Sequence, residues 1–265
     1  MYDLVIGLRV YPGISKNPVL EGSKLTTFEV VYKSVVSSVG SLNTKIVVFS
    51  DGCGDDFYAM IKENTPNRYD LEIKKVDCFS NPKSFEIQYD YLASCDSRLV
   101  ALIEDDYILS PGALNEVYNY AAELNFKGYF SFFNAADYYS HILHRYRCNV
   151  TYFQGNYWRT AASTTLTFLC SPGTLRKNRI IFSTFKYGNS DHNIWAVQTK
   201  LGWGRLLSTL IIAPNKNNFK RFGKFFAVLI ILFPIVAFRR EKLWVCLPGK
   251  GTHLETTGYS YDDIG

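Results

Sequence analysis

The sequence predicts an α/β fold in a single domain, with a mostly parallel central sheet and helices on both faces. Short apolar runs alternate with segments of helical spacing through the first half of the chain, which is the pattern of βαβ units. The chain has 265 residues, of which 47% are hydrophobic. This length buries one large core and stays within the range of one domain.

The elements of the first half follow from apolar spacing and from turn residues. A buried strand is a short apolar run closed by residues such as Tyr11-Pro12-Gly13, and a helix has apolar residues three or four positions apart. The predicted elements are a strand at Leu4–Val10, a helix at Thr26–Val39, a strand at Lys45–Phe49, a helix at Phe57–Glu63 and a strand at Leu71–Val76.

Capping residues set the predicted helices of the remaining chain. Ser84 and Ser190 are N-cap candidates, and Pro111 suits the first position of a helix. The predicted elements are a helix from Ser84 to Ala93, a strand at Leu99–Ile103, a helix from Pro111 to Leu124, strands at Tyr129–Phe133 and Ser163–Leu169, a helix from Ser190 to Leu201 and a strand at Leu206–Ile212.

Charge and cysteine content limit the function class. The net charge of +5 suits a phosphate-bearing ligand or an anionic membrane surface, but it is too small to indicate nucleic-acid binding. None of the six cysteines has CxxC spacing, which argues against a zinc knuckle or a redox motif. The cysteines are scattered among apolar neighbours, as expected for reduced thiols, and the N-terminus has neither a basic region nor a cleavage site. Both features predict a cytoplasmic protein.

One apolar run, Phe225–Phe238, has basic residues on both sides. It is shorter than the roughly 20 residues that a bilayer-spanning helix needs. Two interpretations remain open. The run is either a helix packed in the core or a peripheral membrane segment with its basic flanks on lipid headgroups.

Acidic clusters lie at three ends of the predicted elements, two after strands and one at the start of a helix. Ligands of open α/β sheets bind beyond the carboxyl ends of the strands. The most specific cluster is Glu104-Asp105-Asp106, directly after a buried strand. Adjacent carboxylates repel one another, and a hard divalent cation relieves this repulsion. The cluster therefore predicts a Mg²⁺ or Mn²⁺ site whose ion also binds diphosphate oxygens. The alternative is a solvated turn that caps the next helix.

Asp51 and Asp191 are the candidates outside that cluster. Asp51 lies in the Gly-rich loop after the second strand, where a carboxylate can accept hydrogen bonds from a base or ribose, and the alternative is an ordinary Asp-Gly turn. Asp191 opens a helix, and it is either a general base for an acceptor hydroxyl or a helix cap.

The motifs together resemble GT-A glycosyltransferases of the family-2-like kind. The loop Ser50–Asp55 is similar to the first acidic loop of that family, and Glu104–Asp106 is similar to its DxD-like turn. The chain further resembles a bacterial subgroup with an "EDDYL…PGAL" pattern and a late His loop. The matching segments here are Glu104–Leu109, Pro111–Leu114, Trp158–Thr160, Ser163-Thr164, Thr167-Phe168 and Pro248–His253.

This resemblance implies roles for individual residues. Asp51 would contact the nucleotide base, and Asp105 the ribose or the metal. Asp106 and His253 would be the metal ligands, and Asp191 the base of an inverting displacement. Arg9, at the end of the first strand, and Trp158 complete the predicted donor-binding residues. Trp158 is either a ring that packs on the donor or acceptor sugar or a buried core residue.

The resemblance implies a metal-dependent glycosyltransferase with a nucleoside-diphosphate sugar donor and a glycan or glycolipid acceptor. Within the domain we expect a nucleotide-sugar-binding half at 1–110, an acceptor-side half at 111–214, an apolar and basic insertion at 215–245 and a metal and diphosphate loop at 246–265. Two alternatives remain: a nucleotidyltransferase on the same type of sheet, and a non-catalytic module that binds nucleotide sugars or glycans at a membrane.

Overall fold

The computed structural model describes residues 1–13, 19–140, 144, 146–201, 223, 226–227 and 240–254. These residues form a nine-stranded sheet in the order β3-β2-β1-β4-β9-β6-β10-β8-β7, and β5 pairs with β11 in a separate ribbon. The strands are β1 Tyr2–Val10, β2 Thr44–Ser50, β3 Asp70–Lys75, β4 Ser97–Glu104, β5 Tyr107–Leu109, β6 Tyr129–Ser131, β7 Val150–Phe153, β8 Asn156–Ala161, β9 Phe168–Cys170, β10 Leu243–Leu247 and β11 Gly251–His253.

Most strands of the large sheet run in one direction. The first four strands of the chain that enter it, β1 to β4, are mutually parallel, and β6 is parallel to β10. Strand β9 runs antiparallel between β4 and β6, and β8 runs antiparallel between β10 and β7. The predicted α/β class with a mostly parallel central sheet is therefore confirmed.

Helices cover both faces of the sheet, as predicted. Side chains of α1, α2 and α4 pack on one face in a core that includes Ile6 and Val48, while α3, α6 and α7 pack on the other with Val5 and Val47. Alternate residues of a strand point to opposite faces, so β1 and β2 contribute to both cores. The helices are α1 Lys24–Ser38, α2 Asp55–Glu63, α3 Asn81–Ser94, α4 Ala113–Glu123, α5 Asp137–Ser140, α6 Pro172–Phe182 and α7 Asp191–Thr199.

Two predicted helix starts were wrong. Helix α3 begins at Asn81 after Ser80, and Ser84 lies buried in its first turns. Pro82 explains the earlier start, because proline is well tolerated in the first turn of a helix. Helix α4 begins at Ala113 because Gly112 has a φ of 77°, in the left-handed region. Pro111 therefore precedes the helix. The Ser190 cap of α7 is confirmed, since its hydroxyl accepts the Asn193 N–H at 3.4 Å.

One predicted strand is mostly irregular. Of the segment Ser163–Leu169, only Phe168 and Leu169 belong to β9. The hydroxyls of this segment bond to neighbouring elements instead. Thr167 accepts the Glu104 N–H at 3.2 Å, and the Tyr107 hydroxyl donates to Thr165 at 2.9 Å. This polar stretch therefore connects the sheet to the acidic turn.

The predicted strand at Leu206–Ile212 lies outside the described residues, and so does most of the predicted insertion at 215–245. Of the run Phe225–Phe238, only Phe226 and Ala227 are described. Within the described part of the chain, no helix combines the length and apolar character needed to cross a bilayer.

Candidate functional site

A cleft of about 410 Å³ opens at the carboxyl ends of β1, β2 and β4. The parallel strands bring together residues that are far apart in sequence, and the register pairs Arg9 with Glu104. The cleft is lined by Arg9, Tyr11, Asp51, Phe79, Ser80, Asn81, Ser84, Glu104, Asp105 and Asp106. Four predicted site residues, Arg9, Asp51, Asp105 and Asp106, therefore share one cavity.

Arg9 and Glu104 form an ion pair across β1 and β4. Arg9 Nη2 lies 2.6 Å from Glu104 Oε1, and Nη1 donates to the Asn81 carbonyl at 3.1 Å. Burial raises the pKa of Glu104, and attraction by the Arg9 guanidinium opposes that rise. The pair holds the first residue of the acidic turn on the sheet and also ties it to the start of α3.

Asp105 is held by a lysine of α1. Lys24 Nζ lies 2.9 Å from Asp105 Oδ2, and the Tyr11 N–H donates to the same oxygen at 3.0 Å. Burial raises the pKa of Asp105, and Lys24 counteracts the rise. Lys24 lies in the first turn of α1, where the helix dipole disfavours a cation. The pair with Asp105 offsets this cost.

Asp106 contacts the predicted late histidine. His253 Nε2 lies 3.1 Å from Asp106 Oδ2, and the Leu254 N–H donates to the Asp106 carbonyl at 2.7 Å. Pairing of β5 with β11 sets Tyr107 opposite His253, and their rings stack with centroids 4.7 Å apart. The structure thus brings together the two predicted metal ligands from positions 106 and 253.

The donor set around Asp106 fits a divalent cation. Asp106 Oδ1 is buried and has no hydrogen-bond partner among the described residues, so one carboxylate oxygen is available beside the His253 imidazole. Oxygen and imidazole ligands suit Mn²⁺, and oxygen ligands suit Mg²⁺. No cluster of three or more His, Cys, Asp or Glu side chains within the described ranges could hold a metal by itself.

A second cavity of about 320 Å³ includes His253 and Asp191 in its lining. His253 contacts Asp106, which lines the first cleft, so this contact lies between the linings of the two cavities. The indole N–H of Trp195 anchors α7 to the Thr165 carbonyl at 3.1 Å, and this places Asp191 at the cavity wall. Burial raises the pKa of Asp191 to about 6, while the attraction of Arg9 lowers it. Asp191 is therefore a stronger base than an ordinary aspartate.

Asp51 lies in the cleft lining but is 2% exposed. Asp51 Oδ1 accepts the N–H groups of Cys78 and Phe79 at 2.9 and 2.8 Å, and Oδ2 accepts the Ser80 N–H at 3.4 Å. The Cys78 thiol donates to Oδ2 at 3.2 Å. The carboxylate therefore holds the loop before α3.

Comparison with known proteins gives similarity in fold. No family model and no curated protein matches the chain. The solved structure of S. aureus TarS 1-349 in complex with UDP is similar over 74% of this chain and 54% of that one, at 11% identity and a TM-score of 0.46. A second structure of TarS 1-349 is similar over 67% and 49%, at 12% identity and 0.43.

A CMP:2-keto-3-deoxy-manno-octonic acid synthetase complexed with CTP is similar over 68% of this chain and 78% of that one, at 9% identity and a TM-score of 0.42. This chain spans about half the length of the TarS 1-349 chains. Similarity at this level concerns the fold alone and does not distinguish one reaction from another.

The position of Trp158 corrects its interpretation as a sugar-packing residue. Trp158 lies on β8, is 1% exposed, and stacks on Tyr120 of α4 with centroids 4.1 Å apart. The ring is enclosed by the core, so it has no face available for a sugar. The core interpretation of this tryptophan is the one that agrees with its burial.

Sequence reasoning missed three contributors to the site. Lys24 was missed because nothing near it in sequence marks an ion pair with a residue 81 positions away. Thr165 and Tyr107 fix the acidic turn by a hydroxyl pair. The sequence does carry a signal for Tyr107, because an aromatic residue directly after three acids stands out in a polar loop. Its hydrogen-bond partner Thr165 could not be predicted from the sequence.

Proposed function

We propose that this protein is a metal-dependent glycosyltransferase that moves a sugar from a nucleoside-diphosphate sugar to a hydroxyl acceptor, with inversion at the anomeric carbon. The observation that carries the proposal is the contact between Asp106 and His253, which lies between the linings of two cavities. The first cavity holds Asp105, Asp106 and Arg9, the residues predicted to bind the donor, and the second has Asp191 in its wall. A donor and an acceptor would therefore meet at the junction.

The donor side supports binding of a diphosphate through a cation. Asp106 and His253 would hold Mn²⁺ or Mg²⁺, and such an ion supplies neutralisation of the charge that develops on the leaving diphosphate. Asp105 would lie beside the ribose or the metal, and Arg9 fixes the acidic turn through Glu104. Asp51 remains predicted to contact the nucleotide base, and its carboxylate also accepts the N–H groups of residues 78–80, which lie beside the cleft.

Asp191 is the proposed general base. Its carboxylate takes the proton of the acceptor hydroxyl as that oxygen forms a bond to the anomeric carbon, and the bond from this carbon to the diphosphate oxygen breaks. The attack comes from the side opposite the leaving group, so configuration inverts. A base whose pKa is near neutrality is effective at physiological pH, and such catalysis contributes about 10²–10⁴-fold in rate.

The acceptor class and the membrane contact remain predictions. A glycan or glycolipid hydroxyl suits the second cavity because its lining includes Asp137, Ser163 and His192, which carry polar groups that sugars can bond. Peripheral membrane contact through Phe225–Phe238 rests on the sequence, and co-sedimentation with anionic vesicles tests it.

The test is a transfer assay with a panel of nucleoside-diphosphate sugars and mixed saccharide acceptors. We expect activity with Mn²⁺ or Mg²⁺ that EDTA abolishes, and a fall of at least about 100-fold in kcat for Asp191→Asn. Asp56→Asn, which changes an exposed carboxylate in the first turn of α2, is the control and should retain activity. Full activity of Asp191→Asn would exclude the base assignment. Release of pyrophosphate from a nucleoside triphosphate and a sugar phosphate would indicate nucleotidyl transfer instead.

A further inference from the structure

Phe79 is an exposed aromatic ring in the lining of the first cleft. Phe79 is 66% exposed, although its ring is large and apolar, and it lines the cleft. Its φ is 47°, in the left-handed region that non-glycine residues rarely adopt. A residue kept in this conformation without burial gains little from packing, and such positions cluster at ligand-binding sites.

The unusual backbone is held in place by buried groups. The Phe79 N–H donates to Asp51 Oδ1 at 2.8 Å, and the N–H groups on either side of it also bond to Asp51. Gly52 lies against the ring, and a Cβ at that position would overlap it. Asp51 and Gly52 together therefore fix where the ring lies.

We propose that Phe79 is the stacking surface for the nucleobase of the donor, and that Asp51 is the positioning residue that holds it. The inference rests on the proposed function, since it assigns the base-binding part of the same cleft. An aromatic ring stacks on any nucleobase because every base has a π-face. Phe79 would thus contribute to the affinity of nucleoside diphosphates without selecting one base.

The ring and the diphosphate-binding groups can be tested separately. Binding of UDP, CDP, GDP and ADP in the presence of Mn²⁺ measures the whole nucleotide site, and inorganic pyrophosphate with Mn²⁺ measures the site without the base. For Phe79→Ala we expect about tenfold weaker binding of the tightest nucleoside diphosphate. Pyrophosphate binding should stay at the wild-type value. Phe79→Trp should restore nucleotide binding.

Two further variants separate stacking from a structural role. Phe79→Gly should lose nucleotide affinity as Phe79→Ala does, without a fall in unfolding temperature, because glycine accepts the positive φ. Asp51→Ala should show the same selective loss, and adding Phe79→Ala to it should cost little more, since both act through one ring. Tyr152→Ala removes a ring that is 65% exposed on β7 and is the matched control.

The outcomes distinguish this inference from the proposed function. If the wild-type protein binds a nucleoside diphosphate and Phe79→Ala binds it equally well, the stacking assignment is wrong and the proposed function stands. If Phe79→Ala weakens pyrophosphate and nucleotide alike, the residue only shapes the cleft, and the assignment is again wrong. If the wild type binds none of the four nucleotides with Mn²⁺, both proposals fail.

Discussion

Replacing Asp191 by asparagine should stabilise the folded chain at the same time as it lowers transfer. The pKa of Asp191 is about 6, against an ordinary value of 3.8. A pKa difference of about 2 corresponds to roughly 3 kcal/mol, which is what the charged form costs the folded state. Asparagine keeps the shape and removes the charge, but it loses about 0.3–1 kcal/mol of interaction with the N-terminus of α7. The expected net gain is about 2 kcal/mol.

The gain must depend on pH. Because the pKa is raised in the folded state, the charge penalty is complete above about pH 6 and absent below about pH 4, where the carboxyl is protonated in both states. Thermal unfolding should therefore give an increase of about 5 °C for Asp191→Asn near pH 8 and almost none near pH 4. Asp55→Asn, which removes an exposed charge at the start of α2, should not be stabilised. An equal effect at both pH values, or a loss near pH 8, would refute the reasoning.

Three further perturbations give separate outcomes. Arg9→Ala leaves Glu104 without its partner at 2.6 Å, and urea unfolding should show a loss of about 3 kcal/mol. Trp158→Ala leaves a cavity where a core ring stacks on Tyr120, so we expect the free energy of unfolding to fall by about 3–5 kcal/mol with an unchanged donor KM. A raised donor KM would support the sugar-packing role instead. His253→Ala should reduce the thermal stabilisation by Mn²⁺ with UDP, which for the wild type is about 2.7 kcal/mol at 100 times Kd. An undiminished shift would remove His253 from the ligand set.

The first half of the fold was predictable because its signals are local. Each of the strands β1, β2 and β4 has an apolar run at its centre, at Leu4–Leu8, Ile46–Phe49 and Leu99–Ile103, and parallel strands buried on both faces have that pattern. Their boundaries were predicted within about two residues, and the carboxyl-end rule then placed the acids of β4 in the cleft. The rule needs only strand direction, which βαβ alternation supplies.

Other elements were missed even though the sequence carries signals for some of them. Ser171 and Pro172 are an N-cap and a first-turn proline, and they begin α6. The turn Gln154-Gly155, with both φ values positive, joins β7 and β8 as a hairpin. The pairing of β5 with β11 has no such local signal. The two strands pair over only three residues each, and they come from segments far apart in the chain. The proximity of His253 and Asp106 therefore followed only from the resemblance, and their direct contact required the structure.

The cleft holds more acidic than basic side chains. Repulsion among adjacent acids suggested a cation from sequence, but the structure supplies Arg9 to Glu104 and Lys24 to Asp105. The cleft lining has four carboxylates, Asp51, Glu104, Asp105 and Asp106, and these face two formal cations. Burial is the main cause of the raised pKa values of Glu104 and Asp105, and repulsion by neighbouring carboxylates adds to it.

A diphosphate adds further negative charge beside Asp106, so its binding needs a divalent ion, whereas an uncharged nucleoside does not. Titrations should therefore show UDP affinity that rises at least about tenfold with Mn²⁺ and uridine affinity that does not change. If UDP bound as tightly in EDTA as with Mn²⁺, or more tightly, the cleft would neutralise the diphosphate with cationic side chains of this chain. In that case Asp106 would have a role other than metal binding.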